Sequence, residues 1–301
     1  MTASFLIDTR LQVPFGRGLS IVSENVMCTP ARQINRDDLI WQLYAIISRY
    51  KIAIFDSLYI KRDNSVTKQV KSRQRVADHG EVFTAEREVK AMCDLVAAQC
   101  DNVDATFLEP ACGNGNFLSE ILDRKLNRVK KDAKSDHIMW EWLSVRAIAS
   151  LYGVDIMQDN CVECRSRLFE QWNKAYKTAC KKDCNDETRE SVRYILDKNI
   201  VCGNALTMMC VDENQKDTDV YITFAEFKTC GKMYMLKRRD YRLDVLLKEN
   251  PDENNYDQYS LIGDEPMGFE NWMTDPETNE IIPKPLREYP PLHYRRLNEN
   301  G

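Results

Sequence analysis

Two glycines, Gly113 and Gly115, separate a short apolar segment from an amphipathic one, in the order of a strand, a tight turn and a helix. Glycine has no side chain, so the backbone can turn sharply there and come close to a ligand. The N–H groups in the first turn of a helix have no partner within the helix, and they can bind a polar or anionic group. The pattern predicts a ligand-binding turn at the carboxyl end of a strand.

The residue types of this segment are more specific than its geometry. Residues 107–118 read Phe-Leu-Glu-Pro-Ala-Cys-Gly-Asn-Gly-Asn-Phe-Leu. The segment resembles the S-adenosylmethionine (SAM) loop of the adenine-specific (N6) DNA methyltransferases, usually written Asp-Pro-Ala-Cys-Gly-Ser-Gly, with Glu109 in place of the Asp and Asn114 in place of the Ser. The resemblance implies SAM as cofactor, with Glu109 facing its amino group. The loop residues that it implies as SAM contacts are Glu109, Pro110, Ala111, Gly113, Gly115, Asn116 and Phe117.

A second segment of the family stands before the glycine turn. Residues 78–84 read Asp-His-Gly-Glu-Val-Phe-Thr and resemble the Gly-x-Phe-[Tyr/Thr] segment that precedes the first helix of these enzymes. The resemblance implies that Phe83 and Thr84 close over the methionine end of SAM, with the positive end of the helix dipole near its carboxylate.

Two more segments follow in the family's order. Residues 151–156 read Leu-Tyr-Gly-Val-Asp-Ile, which places Asp155 at the end of a strand, where a carboxylate can accept hydrogen bonds from ribose hydroxyls. Ile156 is then expected to cover the adenine ring. Residues 203–206, Gly-Asn-Ala-Leu, resemble the family's Gly-Asp-[Ser/Ala]-Leu. The resemblance implies adenine contacts from Asn204, Ala205 and Leu206, since an amide carbonyl can accept the bond that the family's Asp accepts.

The segment that would hold the target base is missing. Adenine-N6 methyltransferases carry [Asn/Asp/Ser]-Pro-Pro-[Tyr/Phe/Trp] just after the fourth strand, where the aromatic ring stacks on the flipped base. Here residues 223–227 read Thr-Phe-Ala-Glu-Phe, and the sole Pro-Pro pair, at residues 290–291, lies far downstream. The resemblance therefore covers roughly residues 73–227, the cofactor half of such an enzyme, and no catalytic residue is assigned.

Alternating strands and helices must position these residues. The expected strands are residues 105–109, 151–155, 199–202 and 219–224, and the expected helices are residues 84–98, 116–129, 140–150, 159–179 and 188–196. Such alternation predicts an α/β fold with a parallel sheet. With the resemblance, the expectation is a Rossmann-like SAM-dependent methyltransferase fold with an incomplete sheet. Residues 1–70 would form an N-terminal segment, residues 71–230 the SAM-binding domain, and residues 231–301 a hairpin, starting within residues 221–237, plus an acidic, proline-containing tail.

Composition and charge bound the cellular setting. No run of about 18 apolar residues is present, so we expect no membrane span. The N-terminus lacks a signal-peptide layout, which favours the cytoplasm. The net charge of −5 is unlike that of a stand-alone nucleic-acid binder, but basic residues cluster at 61–75 and 237–242. These clusters are open to two interpretations, phosphate contacts or solvated surface.

Eleven cysteines in a chain without a secretory signal indicate reduced thiols rather than disulfides. Cys161, Cys164, Cys180 and Cys184 have a C-x2-C and C-x3-C spacing. We expect the first three on one helix, where Cys161 and Cys164 belong to an apolar stripe. Ligands spread along one helix cannot surround a tetrahedral ion, so we expect no metal site.

Two functional hypotheses follow. In the first, the chain is a SAM-binding DNA adenine methyltransferase-like protein of a restriction-modification system, and a partner protein supplies the target-base pocket and the recognition of double-stranded DNA. In the second, it is a catalytically inactive binding or regulatory subunit with a methyltransferase fold. A SAM enzyme with another acceptor is disfavoured by the glycine loop, and a dinucleotide enzyme by Leu118, which stands where a third glycine is needed.

Overall fold

A computed structural model of the chain describes residue 75 and residues 83–247, 272–276 and 281–300. The expectations for residues 1–70, for the basic cluster at 61–75 apart from Arg75, and for most of the acidic tail lie outside these residues. The described chain from Ala85 onward belongs to one compact unit, and Phe83 and Thr84 belong to another.

Three parallel strands position most of the predicted ligand contacts. They are β1 (Phe107–Glu109), β2 (Leu151–Asp155) and β3 (Ile200–Asn204), and they lie in the order β1-β2-β3. Glu109 is in register with Gly153, and Asp155 with Cys202. The first three predicted strands and their parallel pairing are confirmed. Their carboxyl ends lie at one edge of the sheet. The predicted ligand contacts from Glu109 onward are at or just after these strand ends.

Helices connect and cover these strands. They are α1 (Glu86–Leu95), α2 (Ala97–Cys100), α3 (Asn116–Ala133), α4 (His137–Ala149), α5 (Gln158–Cys180) and α6 (Asp186–Asn199). The predicted helix at residues 84–98 is interrupted at Val96, whose φ of −120° and ψ of 34° are not helical. Asp136 caps α4 through hydrogen bonds from Ile138 N and Met139 N, and the Asn185 side chain caps α6. These side chains explain why both helices begin where they do.

The predicted fourth parallel strand, residues 219–224, is wrong. Its first half, residues 219–221, belongs to β5 (Asp217–Tyr221), and residues 223–224 begin a strand of another sheet. Strand β5 pairs antiparallel with β4 (Met209–Val211), itself antiparallel to β3. Within β5, Asp217, Asp219 and Val220 are exposed. A strand with exposed carboxylates suits the edge of an antiparallel ribbon and not the doubly covered position of a central parallel strand. The sheet is therefore mixed, with three parallel strands.

A second sheet begins at residue 223. Strands β6 (Thr223–Cys230) and β7 (Lys232–Arg242) form a long antiparallel hairpin, which turns at Gly231 with a positive φ of 54°. The predicted hairpin is confirmed, and it crosses the boundary expected at residue 230. The short helix α7 (Leu243–Leu246) follows, and then the ribbon of β8 (Trp272–Thr274) and β9 (Ile281–Pro283). Strands β10 (Arg287–Glu288) and β11 (Leu292–His293) both pair with β7.

A buried carboxylate joins the end of the chain to the helices. Glu141 on α4 is 1% exposed and accepts hydrogen bonds from Tyr294 Oη (2.6 Å), Arg295 Nε (2.9 Å) and Asn185 Nδ2 (2.8 Å). The Tyr176 hydroxyl of α5 donates to it as well. A buried carboxylate needs such partners because its transfer from water is costly. Among the described residues no helix is long and apolar enough to cross a membrane.

Candidate functional site

The glycine turn is fixed to the end of β2 by backbone hydrogen bonds. Cys112 N donates to Val154 O (2.8 Å), and Gly115 N donates to Cys112 O (2.8 Å). Gly113 and Gly115 both have positive φ, 52° and 84°. Most residues avoid this region because their Cβ would crowd the following carbonyl. The turn therefore requires glycine at both positions, as the sequence predicted.

The turn is also closely packed from behind. A Cβ at Gly115 would lie 2.7 Å from the Cys164 Sγ of α5, and a Cβ at Gly153 would lie 3.1 Å from Cys112 Sγ. The space behind the turn is thus filled by the thiols of Cys164 and Cys112. No side chain of the described residues caps α3, the helix that starts at this turn. Backbone N–H groups at an uncapped helix start suit a polar or anionic ligand group.

The Asp155 carboxylate links the turn to the start of α5. Its Oδ2 accepts a hydrogen bond from Gly113 N (2.9 Å), and its Oδ1 accepts from Met157 N (2.8 Å) and Asn160 Nδ2 (3.1 Å). Asp155 therefore has a structural role that the sequence did not predict, and its expected role toward ribose hydroxyls stays a prediction.

Other predicted residues lie on the same edge. Glu109 ends β1 and is 1% exposed, and Ile156 follows Asp155 and is half-buried. Pro110 and Ala111 are half-buried in the turn. Phe117 is 3% exposed and belongs to the hydrophobic core, so its side chain packs the base of α3. The Asn116 carboxamide oxygen accepts a hydrogen bond from Arg167 Nη1 of α5 (2.5 Å).

The predicted adenine contacts lie at the carboxyl end of β3. Asn204 Oδ1 accepts from Leu206 N (3.1 Å), and Asn204 Nδ2 donates to Asp217 Oδ1 (3.0 Å). Ala205 is half-buried, whereas Leu206 is 70% exposed. Asn204 therefore shapes the turn after β3, and its carbonyl oxygen retains a second lone pair for a ligand donor.

Phe83 and Thr84 precede Ala85, the N-cap of α1, and both are half-buried. They belong to the unit that ends at Thr84, whereas the glycine turn belongs to the unit that begins at Ala85. Their predicted contact with SAM stays a prediction.

Four thiols around the site were expected only as part of the core. Cys112 lies in the glycine turn, Cys161 and Cys164 on α5, and Cys202 on β3. The predicted stripe on α5 is confirmed, because Cys161, Cys164, Leu168 and Trp172 are fully buried. Cys112 and Cys202 lie opposite this stripe because of the order of the strands in the sheet. The helical spacing of residues in the sequence does not predict that order. Among the described residues no group of three metal-binding side chains converges.

The basic cluster at 237–242 is neutralised within the fold. Arg238 pairs with Asp240 (2.7 Å), and Arg239 with Asp275 (2.7 Å) and with Glu288 (2.8 Å). Arg238 and Arg239 are 5% and 3% exposed. Of the two interpretations of this cluster, phosphate contact is excluded for these two guanidinium groups, because they are buried with carboxylates. Arg239 joins β7 to Glu288 of β10 and to Asp275, the residue after β8.

The segment that takes the place of the target-base motif is not a loop. Residues 223–227 lie on β6 and pair with residues 238–242 of β7. Phe224 and Phe227 are 2% and 8% exposed, so neither ring is available to stack on a base. Pro290 and Pro291 are exposed between β10 and β11.

The chain matches no protein-family model, no curated protein and no solved structure.

Proposed function

We propose that this chain binds SAM at the carboxyl edge of β1, β2 and β3. One observation carries the proposal: a glycine turn with two positive φ angles is tied through Gly113 N to the carboxylate that ends the neighbouring parallel strand, Asp155. A turn of this kind next to an acidic strand end is the arrangement in which open α/β sheets bind adenosine-containing cofactors. The residue types at 107–118 favour SAM among these cofactors.

The residues present fit the cofactor. Gly113 and Gly115 have positive φ and carry no side chain, so the backbone of the turn can be approached closely by a ligand. Asp155 would accept from the ribose hydroxyls, and Glu109 would face the amino group. Ile156, Asn204, Ala205 and Leu206 would border the adenine. SAM, when bound, supplies an electrophilic methyl group.

We further propose that the methyl acceptor is adenine in double-stranded DNA and that a partner protein provides the target-base pocket. This proposal follows from the residue types of the glycine turn together with the missing Pro-Pro-aromatic segment. The protein would then be the cofactor half of a Rossmann-like restriction-modification methyltransferase and would act in the cytoplasm.

The second candidate is a catalytically inactive, SAM-binding or regulatory subunit with the same fold. It is favoured by the pairing of residues 223–227 into β6, which buries Phe224 and Phe227 where an active enzyme presents a base-stacking ring. The two candidates differ in whether any partner restores methylation.

Calorimetric titration with SAM tests the shared part of both candidates. We expect saturable binding near one SAM per chain, and loss of binding in Gly113→Leu, because its φ of 52° is strained for leucine and the side chain would enter the ligand position. Gly231→Leu is the matched control: its φ is 54°, nothing lies within 4 Å of the added Cβ, and it stands at the β6–β7 turn. A folded chain without saturable binding would refute the proposal.

Transfer of radioactive methyl groups from SAM to DNA separates the two candidates. The chain alone is expected to be inactive. Methylation on mixing with proteins encoded beside it would support the split enzyme, whereas SAM binding without methylation in any such mixture would support the regulatory subunit.

A further inference from the structure

Two thiols flank the end of β2 from opposite elements. Cys161, in the first turn of α5, places its Sγ 3.6 Å from Asp155 O. Cys202, on β3, places its Sγ 3.6 Å from Ile156 O. Cys202 is also the register partner of Asp155 across the β2–β3 pair. The two sulfurs thus contact the carbonyl oxygens of two consecutive residues at the end of β2.

Each thiol donates to a carbonyl oxygen of the same strand end, Cys161 to Asp155 O and Cys202 to Ile156 O, and the two thiols are close enough to affect each other's pKa. Cys161 is fully buried, whereas Cys202 is partly exposed. A small oxidant in solvent can reach Cys202 first, and Cys161 stands directly behind it.

The surroundings also make the two sulfurs chemically different. Interaction with the neighbouring Cys161 thiol lowers the pKa of the Cys202 thiol, while burial and the carboxylates of Asp155 and Asp159 oppose this and Arg165 assists it. Interaction with Cys202, together with burial, raises the pKa of Cys161. Thiolate character and exposure are what make a cysteine sensitive to peroxide, and a neighbouring thiol allows the oxidised sulfur to form a disulfide.

We propose that Cys202 and Cys161 form a peroxide-sensitive modification site at the edge of the parallel sheet. In the first step the Cys202 thiolate attacks one oxygen of hydrogen peroxide. A sulfur–oxygen bond forms, the oxygen–oxygen bond breaks, hydroxide leaves, and the sulfur is oxidised by two electrons to a sulfenic acid. In the second step the Cys161 sulfur attacks the Cys202 sulfur. A sulfur–sulfur bond forms, the sulfur–oxygen bond breaks, and water leaves with the Cys161 proton.

The disulfide would change the end of β2. Bonded sulfurs are about 2.05 Å apart, so the first turn of α5 must move toward β3. That turn contains Asn160, and it follows Met157; both donate hydrogen bonds to the Asp155 carboxylate. Oxidation is therefore expected to disturb Asp155 and to weaken SAM binding about tenfold, a typical coupling between neighbouring sites. This consequence, unlike the modification itself, rests on the proposed function.

Peptide mapping of the full chain tests the modification. The reduced protein is exposed to graded hydrogen peroxide, its remaining thiols are alkylated in denaturant, and cross-linked peptides are identified by mass spectrometry. We expect the Cys161–Cys202 link at the lowest effective dose. Cys93 and Cys100 serve as an internal control, because the Cys100 thiol lies 3.8 Å from Cys93 O and both residues are fully buried. Equal oxidation of the two pairs, or no link between Cys161 and Cys202, would overturn the proposal.

Two variants and one titration complete the test. Cys161→Ser is expected to stop at the sulfenic acid, captured on Cys202 by dimedone, and Cys202→Ser to yield no adduct at residue 161. SAM titrations of reduced and oxidised wild-type chain follow. Equal affinities would overturn the coupling to Asp155, and absence of SAM binding in the reduced chain would refute the proposed function while the cross-link still decides the modification.

Discussion

Gly113 donates its backbone N–H to the carboxylate of Asp155, 42 positions later, across 2.9 Å. One hydrogen bond thus joins the turn after β1 to the end of β2. Because Asp155 also accepts from Met157 N, the same carboxylate fixes where α5 begins. The glycine turn and the acidic strand end, which the sequence suggested as separate ligand contacts, form one structural unit.

Asp155→Ala is expected to abolish SAM binding and to lower the free energy of unfolding by about 1–3 kcal/mol, because Gly113 N, Met157 N and the Asn160 amide lose their acceptor. Calorimetry and urea unfolding measure the two effects. Asp132→Ala is the control. Asp132 is exposed and pairs with Arg128 on the same helix, so its removal should change SAM affinity and the free energy of unfolding little. Unchanged SAM affinity in a folded Asp155→Ala would mean that the pocket lies elsewhere.

Gly115→Ala is expected to cost about 3 kcal/mol of unfolding free energy, from the φ of 84° and the 2.7 Å approach of its Cβ to Cys164 Sγ. Gly231→Ala meets no atom within 4 Å and has a φ of 54°, so it should cost only about 1 kcal/mol. Adding Cys164→Ala to Gly115→Ala makes room for the new methyl group. Chemical denaturation of the wild-type chain and of these three variants measures the free energies of unfolding. Equal losses at Gly115 and Gly231 would argue against the close packing behind the turn.

The glycine turn and the first three strands were predictable because their signals are local. Apolar runs end at Glu109 and Asp155, glycine follows the first of them, and helical spacing follows both. Short-range patterns of this kind fix strand, turn and helix without knowledge of distant partners.

The fourth strand and the arginines of β7 could not be predicted in the same way. The direction of β5 depends on its pairing with β4, and the burial of the charged Arg239 depends on ion pairs with Asp275 and Glu288, which are far from it in sequence. A run of basic residues reads the same whether its partners are solvent, phosphate or buried carboxylates. Long-range pairing decides among them, and a single sequence does not contain it.

Lys125→Met should lower the free energy of unfolding by about 3 kcal/mol. The Lys125 ammonium is fully buried and donates to the carbonyl oxygens of Val103 (3.0 Å) and Ala105 (2.6 Å) and to Ser150 Oγ (2.8 Å). Methionine keeps the apolar stem but leaves these acceptors unpaired. Lys131→Met, on the exposed face of the same helix, is the control and should cost less than about 0.5 kcal/mol. Thermal and urea unfolding report both, and equal stability of the two variants would contradict a structural role for Lys125.

His293 gives the fold a dependence on mildly acidic pH. Burial lowers the pKa of His293 below its ordinary 6.5, and the positive charge of Arg295 acts in the same direction. The ring stacks near Tyr294, and its Nδ1 accepts a hydrogen bond from Arg295 N (3.3 Å), which requires the neutral form at that nitrogen. The unfolded chain binds a proton at higher pH than the folded chain does. The stability that the neutral His293 contributes is therefore fully present above pH 6.5, and it is lost as the pH falls through the lowered pKa.

The expected result is a decline in unfolding free energy from about pH 7.5 to about 5.5 that is smaller in His293→Asn than in the wild-type chain. Asparagine does not titrate, and its carbonyl oxygen can replace Nδ1 as the acceptor for Arg295 N. Urea unfolding at several pH values in one buffer series measures the slope. An identical slope in the two proteins would show that protonation of His293 does not oppose folding and that other groups account for any acid sensitivity.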